Sequence, residues 1–124
     1  MTKRILIVED NDTLRALLGQ AFEHAGFVSI GAENAEAALH VLRQDPPDLC
    51  LVDHAMPGMT GAELIRMLRS SGDARLRRLP AIGMTGWDDG ARELLAAGAA
   101  RALRKPCQLE PLLEDVRALL YPRA

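Results

Sequence analysis

The sequence predicts an α/β fold in which helices cover both faces of a five-stranded parallel sheet. Five short apolar runs alternate with segments whose apolar residues recur at helical spacing. No linker, repeat or low-complexity tract interrupts them, and 124 residues are enough for one domain with a substantial core. This β-then-α alternation is typical of a doubly wound sheet with right-handed crossovers. Residues 1–124 are therefore predicted to form a single domain.

The first strand and helix have the clearest pattern. Residues 5–8, Ile-Leu-Ile-Val, form a continuous apolar run, as expected for a strand buried on both faces. Apolar residues then recur at helical spacing over 14–25, and Gly26 follows where a helix C-cap is expected. Residues 27–30 are predicted to form the second strand.

The middle of the chain continues the alternation. Asn34 is a suitable N-cap for a helix whose apolar face runs over 35–42. The Asp-Pro-Pro sequence at 45–47 ends that helix, because proline cannot continue it. Residues 49–52 predict the third strand, and 61–71 predict the third helix.

The last third of the chain contains two more β-then-α units. Residues 72–80 are predicted to be a loop or frayed turn before a fourth strand at 81–84. A helix over 88–97 ends at a glycine, as helices commonly do. A short fifth strand over 99–103 and a final amphipathic helix over 109–120 complete the series.

Composition and charge limit the classes of function. A formal net charge of −2 and a pI of about 5.9 argue against direct nucleic-acid binding, which needs a basic stripe. No apolar run is long enough for a membrane span or a signal sequence, so no membrane contact is expected. Cys50 and Cys107 lack zinc or redox-pair spacing and are interpreted as reduced thiols, which favours the cytoplasm. Cys107 precedes a helix, so a lowered thiol pKa is an alternative there to an ordinary small residue.

Residues able to do chemistry stand where four of the strands end. The first strand ends in Glu9-Asp10 and the third in Asp53, while Thr85 and Lys105 follow the fourth and fifth. In such sheets ligands collect at the carboxyl ends of the strands. Three carboxylates there repel one another unless a cation is present, and Mg²⁺ prefers oxygen ligands. With an ammonium and a hydroxyl beside them, the set favours phosphoryl transfer onto a carboxylate.

In these motifs the chain resembles a response-regulator receiver domain of two-component signalling. The resemblance lies in Glu9-Asp10 within ILIVEDND, Asp53 within LVDHAMPGMTG, Thr85 within GMTGW and Lys105 within LRKP. It covers essentially the whole chain, with the motifs in order. The family implies a flavodoxin-like (βα)5 sandwich with strand order 2-1-3-4-5.

The resemblance also implies a metal site and a phosphoacceptor. Asp53 is expected to accept a phosphoryl group from a histidine kinase or phosphotransfer protein. Asp10 and Asp53 are expected to ligate Mg²⁺, together with the backbone carbonyl of Ala55, while Glu9 acts through a water. The metal is therefore a predicted cofactor, and the chain is not expected to be an enzyme beyond its own phosphoryl transfer and autodephosphorylation.

Two further residues are expected to act on the phosphoryl group. Lys105 would hold the active-site carboxylate and then the phosphate, and Thr85 would move toward the phosphoryl group and carry the switch. The signal would pass to an unknown protein target through the face made by helix 88–97, the fifth strand and the last helix. The same face is a candidate for homodimer contacts.

Each site residue also has an ordinary structural interpretation. Glu9-Asp10 would be a solvated strand end, and Asp53 and Thr85 would cap a turn or a helix. Lys105 argues for function, because the chain has thirteen arginines and only two lysines.

Several positions depart from the family pattern. Ala102 stands where receivers commonly carry an aromatic residue, so we expect Trp87 to take part of that role. Ala55 and Trp87 occupy positions that control access of water to the acyl phosphate, which predicts slow to moderate autodephosphorylation. His54 follows the acceptor without an explanation in the sequence.

Other functions remain open at this point. A phosphatase-type enzyme using Asp53 would need a second acid two residues on, and Ala55 at that position argues strongly against this function. A phosphorylation-independent adaptor with the same fold is kept open by Ala102. The chain would also fit a receiver excised from a hybrid sensor kinase.

Overall fold

The computed structural model describes residues 2–122 and contains one sheet and six helices within that range. The strands are β1 (Arg4–Val8), β2 (Val28–Ala32), β3 (Leu49–Asp53), β4 (Ala81–Thr85) and β5 (Arg101–Arg104). The helices are α1 (Asp12–His24), α2 (Ala35–Gln44), α3 (Gly61–Arg69), α4 (Ala74–Arg77), α5 (Asp88–Ala97) and α6 (Leu109–Leu120). Within the described range no helix has both the length and the apolar character needed to cross a bilayer.

All five strands are parallel, and their order is β2-β1-β3-β4-β5, which confirms the predicted flavodoxin-like topology. β2 lies on one side of β1 and the later strands lie on the other, so the order reverses between β1 and β3. Folds of this type bind ligands outside the carboxyl ends of the strands near that reversal. The topology therefore directs attention to the ends of β1 and β3.

Two apolar layers hold the helices against the sheet. One layer joins alternate residues of the central strands to α2, α3 and α5, with Leu64 and Leu94 fully buried within it. The other joins the opposite faces of the same strands to α1 and α6, and Phe22 is its largest buried side chain. Helices on both faces explain why the central strands are apolar throughout.

Polar caps fix where several helices begin. The side chain of Asn11 accepts a hydrogen bond from the backbone N–H of Leu14, and Asn34 caps α2 in the same way, as predicted. Thr60 and Glu63 form a reciprocal capping box at the start of α3. These caps begin helices close to the carboxyl ends of strands and so help to shape that edge of the sheet.

The prediction of a loop or frayed turn over 72–80 is wrong in part, because α4 forms there. The side chain of Asp73 caps this helix, and Leu76 is buried against α3. Arg69 donates hydrogen bonds to the carbonyls of Leu76 and Arg77, which holds the short helix in place.

The two edge strands lie slightly later in the chain than predicted. β2 begins at Val28, since Phe27 packs edge-to-face on Phe22 instead of joining the ladder. β5 begins at Arg101 instead of Ala99.

Candidate functional site

The carboxyl ends of three neighbouring strands are joined by backbone hydrogen bonds. The N–H of His54 donates to the carbonyl of Met84 at 2.8 Å, which ties the end of β3 to β4. The N–H of Lys105 donates to the carbonyl of Thr85 at 2.7 Å, which ties the end of β5 to β4. The residues that follow these strands therefore start from one rigid edge.

Three carboxylates converge at this edge. Glu9, Asp10 and Asp53 each place one oxygen within 4.8 Å of the others. Glu9 and Asp53 are only 1% and 3% exposed, whereas Asp10 is exposed. Buried carboxylates this close together require positive charge, and an all-oxygen donor set with one side open to solvent suits a hard divalent cation such as Mg²⁺. The donor set therefore fits the predicted metal.

Lys105 bridges the two buried acids. Its ammonium nitrogen lies 2.8 Å from Glu9 Oε1 and 3.1 Å from Asp53 Oδ1. Partial burial acts to lower the pKa of Lys105, but the hydrogen bonds and charges of Glu9 and Asp53 outweigh it and raise that pKa above its ordinary value. The ammonium is thus held charged between the two buried carboxylates.

Thr85 and Ala55 lie around this centre and form no hydrogen bond with the carboxylates. Thr85 is fully buried at the end of β4, and the hydrogen bonds between its hydroxyl and the backbone of Trp87 are long, at 3.4 Å. Ala55 is exposed on the loop after β3, two residues beyond Asp53. A weakly bonded buried hydroxyl beside the end of β3 is free to form a stronger hydrogen bond.

The helix-capping roles that the sequence left open for Thr85 and Asp53 are wrong. Trp87, not Thr85, is the N-cap of α5, and Thr60 caps the helix that follows Asp53. A solvated strand end does not describe Glu9, which is buried and paired with Lys105. The alternative of a lowered thiol pKa at Cys107 is also wrong, because burial raises it.

A close backbone approach shapes the loop after Asp53. The N–H of Gly61 donates to the carbonyl of His54 at 3.0 Å. A Cβ built at Gly61 would lie 2.6 Å from the carbonyl oxygen of Asp53 and 2.9 Å from the Cα of His54. Only glycine fits there, so the start of α3 packs directly on the backbone at the end of β3.

His54 is the residue of this region whose role the sequence did not reveal. Its imidazole is 5% exposed, accepts a hydrogen bond from the N–H of Ala62 at Nδ1 (3.3 Å) and lies 2.8 Å from Glu93 Oε2 through Nε2. Glu93 is 39 residues away in the chain, on α5. No local sequence spacing links the two residues, so their contact is visible only in the folded structure.

The chain is similar in sequence to known proteins over nearly its whole length. The family model described as response regulator receiver domain matches residues 5–117. Response regulator MprA of Mycobacterium ulcerans is 37% identical over 122 residues, which cover 97% of this chain and 51% of that protein. The chain therefore spans about half the length of the curated relatives it matches.

The structure is also similar to solved structures. The signal receiver domain of a signal transduction histidine kinase from Syntrophus aciditrophicus has a TM-score of 0.89 and 32% identity, over 99% of this chain and 95% of that one. Chemotaxis protein CheY4 of Vibrio cholerae has a TM-score of 0.88 and 25% identity, over 97% of this chain and 100% of that one.

Proposed function

This chain belongs to the response regulator receiver domain family of two-component signalling, and on that basis we propose that it is a switch operated by phosphorylation of Asp53. Receivers accept phosphoryl groups from histidine kinases and are signalling proteins, not classical enzymes. The observation that carries the proposal is the convergence of Glu9, Asp10 and Asp53 around the Lys105 ammonium. Burying two carboxylates beside a third costs free energy, and a chemical function of the site explains why the fold accepts that cost.

Asp53 is the proposed nucleophile. One oxygen of its carboxylate attacks the phosphorus of a phosphohistidine on a histidine kinase or phosphotransfer protein. A P–O bond forms as the P–N bond breaks, and the imidazole leaves with the electron pair. Because Asp53 is buried at a rigid strand end, its oxygens are held in one orientation for this attack.

Asp10, Asp53 and the backbone carbonyl of Ala55 are the proposed protein ligands of Mg²⁺, with Glu9 acting through a water. When bound, the ion supplies positive charge that neutralises the oxygens of the transferring phosphoryl group. Asp10 is exposed, which supports an open side where the phosphodonor enters.

Lys105 and Thr85 are proposed to recognise the phosphorylated state. Lys105 already lies 3.1 Å from Asp53 Oδ1, so its ammonium pairs with a phosphoryl oxygen after a small side-chain movement. The Thr85 hydroxyl exchanges its long contacts with Trp87 for a hydrogen bond to the phosphoryl group. That exchange moves the start of α5, because Trp87 caps this helix.

The proposed output is a protein contact on the face made by α5, β5 and α6. Trp87 and Leu95 are each 51% exposed on α5 or at its start, and Arg101 is exposed on β5. This face supplies apolar and charged groups for a downstream protein or for a second copy of the chain. We propose no direct contact with nucleic acid or membrane.

The cytoplasm is the proposed compartment. Cys50 and Cys107 are both free thiols, as is usual for proteins of a reducing compartment. Slow to moderate autodephosphorylation is proposed as well. Ala55 has no side chain that orients an attacking water, and Trp87 offers bulk near the site.

The test is phosphorylation by acetyl phosphate and Mg²⁺, followed by intact mass. The parent protein is expected to gain one phosphoryl group, and Asp53→Asn none, since an amide does not form the acyl phosphate. Asp48→Asn is the matched control, because Asp48 precedes the same strand at its opposite end and Asn keeps an acceptor for the N–H of Arg4. A parent without added mass, or an Asp53→Asn variant that still gains it, would contradict the proposal.

A phosphorylation-independent adaptor is the alternative if the parent gains no mass. The similar proteins include a response regulator of which this chain covers 51% and the receiver domain of a histidine kinase. The proposal therefore concerns the receiver and its switch alone.

A further inference from the structure

His54 forms a bridge between two helices directly beside the acceptor residue. At one ring nitrogen, Nδ1, it accepts a hydrogen bond from the N–H of Ala62 in the first turn of α3. At the other, Nε2, it contacts the carboxylate of Glu93 on α5 at 2.8 Å. A neutral imidazole with its proton on Nε2 satisfies both contacts, since it accepts at one nitrogen and donates at the other.

The same ring shares a small space with Thr85. Gly90, on the buried side of α5, faces both residues: a Cβ built there would overlap Thr85 Oγ1 and would lie 3.2 Å from His54 Cδ2. The backbone of α5 is therefore in direct contact with the hydroxyl of Thr85 and the imidazole of His54. A change in the position of either group changes the volume available to α5.

These contacts define two connections from the strand edge to α5. One is the packing of Thr85 on Gly90, a steric contact that limits how closely α5 approaches Thr85 but does not attract the helix. The other is the hydrogen bond from His54 to Glu93, which holds the helix to the acceptor strand. If only the packing contact existed, movement of Thr85 would leave a gap beside Gly90. The hydrogen bond from His54 to Glu93 keeps α5 close to β3, so the helix moves into that gap.

We infer that His54 is a positioning residue that transmits the state of Asp53 to helix α5 through its hydrogen bond to Glu93. The inference deepens the proposed function and rests on it, because it requires a phosphoryl group on Asp53 to move Thr85. It assigns to the residue next to the acceptor a role in output, not in phosphoryl transfer. A coupling of this kind needs an element with two arrangements that both sites bias, and α5 is that element.

The test separates phosphorylation from its transmission. Phosphorylation is measured by intact mass after acetyl phosphate. Transmission is measured, with beryllofluoride and Mg²⁺, by the fluorescence of Trp87, the sole tryptophan, and by amide hydrogen exchange over residues 88–97. Beryllofluoride stands for the phosphoryl group and keeps the signal constant during the measurement.

Glu93→Ala is the main variant, since Glu93 is 57% exposed and its removal leaves the core intact. It is expected to gain the same phosphoryl mass as the parent, while the fluorescence and exchange changes in α5 fall to less than about half. Glu93→Gln, whose side-chain carbonyl still accepts a hydrogen bond, is expected to restore most of the response. Glu114→Ala, an exposed glutamate on α6, is the matched control and is expected to respond like the parent.

His54→Asn tests the other partner. Its side-chain oxygen replaces Nδ1 for the N–H of Ala62, but the shorter side chain does not reach Glu93. The loss of response is expected to match that of Glu93→Ala, and the double variant is expected to lose no more than either single one.

Two results would overturn the inference while leaving the proposed function standing. One is a fully responsive Glu93→Ala variant; the other is a phosphorylated parent whose α5 does not change. A parent protein that gains no phosphoryl mass would instead contradict both the proposed function and the inference that rests on it.

Discussion

The inner strands β3 and β4 and the edge strands β2 and β5 are held in very different ways. Every residue of β3 and β4 is buried, because helices cover both faces of these strands. β5 has no buried residue, and β2 is buried only at its last residue, Ala32. The chain places the carboxylate of Asp53 and the buried hydroxyl of Thr85 at the ends of β3 and β4, where position is set by packing on both sides. Lys105, which only needs to reach the carboxylates, follows an edge strand.

The largest expected effect is on stability, from removing the same side chain in the two kinds of strand. Leu51→Ala in β3 opens a cavity in a fully buried layer and is expected to cost about 2–5 kcal/mol of the free energy of unfolding. Leu103→Ala in β5, which is partly exposed, is expected to cost about 1 kcal/mol. Urea denaturation with an unchanged m-value measures both. Equal losses would mean that the edge strand is packed as firmly as the centre.

A smaller effect is expected from adding one methyl group to a glycine in each kind of strand. A Cβ at Gly83 in β4 would lie 2.6–2.9 Å from three side-chain carbons of buried Leu94, so Gly83→Ala is expected to cost about 1–3 kcal/mol. A Cβ at Gly31 in β2 would meet the flexible side chain of Arg15 at 3.2 Å, and Gly31→Ala is expected to change stability by less than about 0.5 kcal/mol. Thermal and urea unfolding check the pair. A Gly31→Ala cost as large as that of Gly83→Ala would remove the contrast.

The smallest expected effect is a pH dependence that differs between the two cysteines. Burial raises the pKa of Cys50 in β3 from 9.0 to about 12. Above pH 9 the unfolded thiol loses its proton while the folded thiol keeps it, so the folded state binds more protons and stability falls as pH rises toward 12. From pH 8 to pH 10 this contributes a loss of about 1.4 kcal/mol.

Cys50→Ala is expected to remove that part of the pH dependence. Cys107→Ala is expected to remove much less, because Cys107 is partly exposed and its pKa is raised less strongly by burial. Urea titrations of the parent and both variants at pH 8 and pH 10 measure the difference. The comparison fails if the two alanine variants show the same pH dependence.

The central strands and the polar residues at their ends were predictable because their signals are local. Four consecutive apolar residues in β1 and in β3 indicate burial on both faces, and the polar residue that follows each run marks the edge of the sheet. The helix caps at Asn34 and Gly98 are equally local, and both lie where they were expected. Parallel topology then brings Glu9, Asp53 and Lys105 together.

The remaining features depend on packing contacts that no sequence pattern marks. β2 begins one residue later than predicted because Phe27 packs on Phe22, and helix α4 forms because Leu76 is buried and Arg69 donates a hydrogen bond to the Leu76 carbonyl. Four residues are too few to show helical periodicity. The bond from His54 to Glu93 joins residues on different elements, and no spacing rule predicts it.

The contact between Lys105 and Glu9 joins residues 96 positions apart in the chain. During synthesis on the ribosome, β1, β3 and β4 emerge with their carboxylates and hydroxyl well before the ammonium that pairs with them. While residue 105 is still inside the ribosome, the nascent chain thus has these carboxylates without Lys105, the cation that pairs with them. The cluster of Glu9, Asp53 and Lys105 is therefore complete only after β5 and the residue that follows it have been translated.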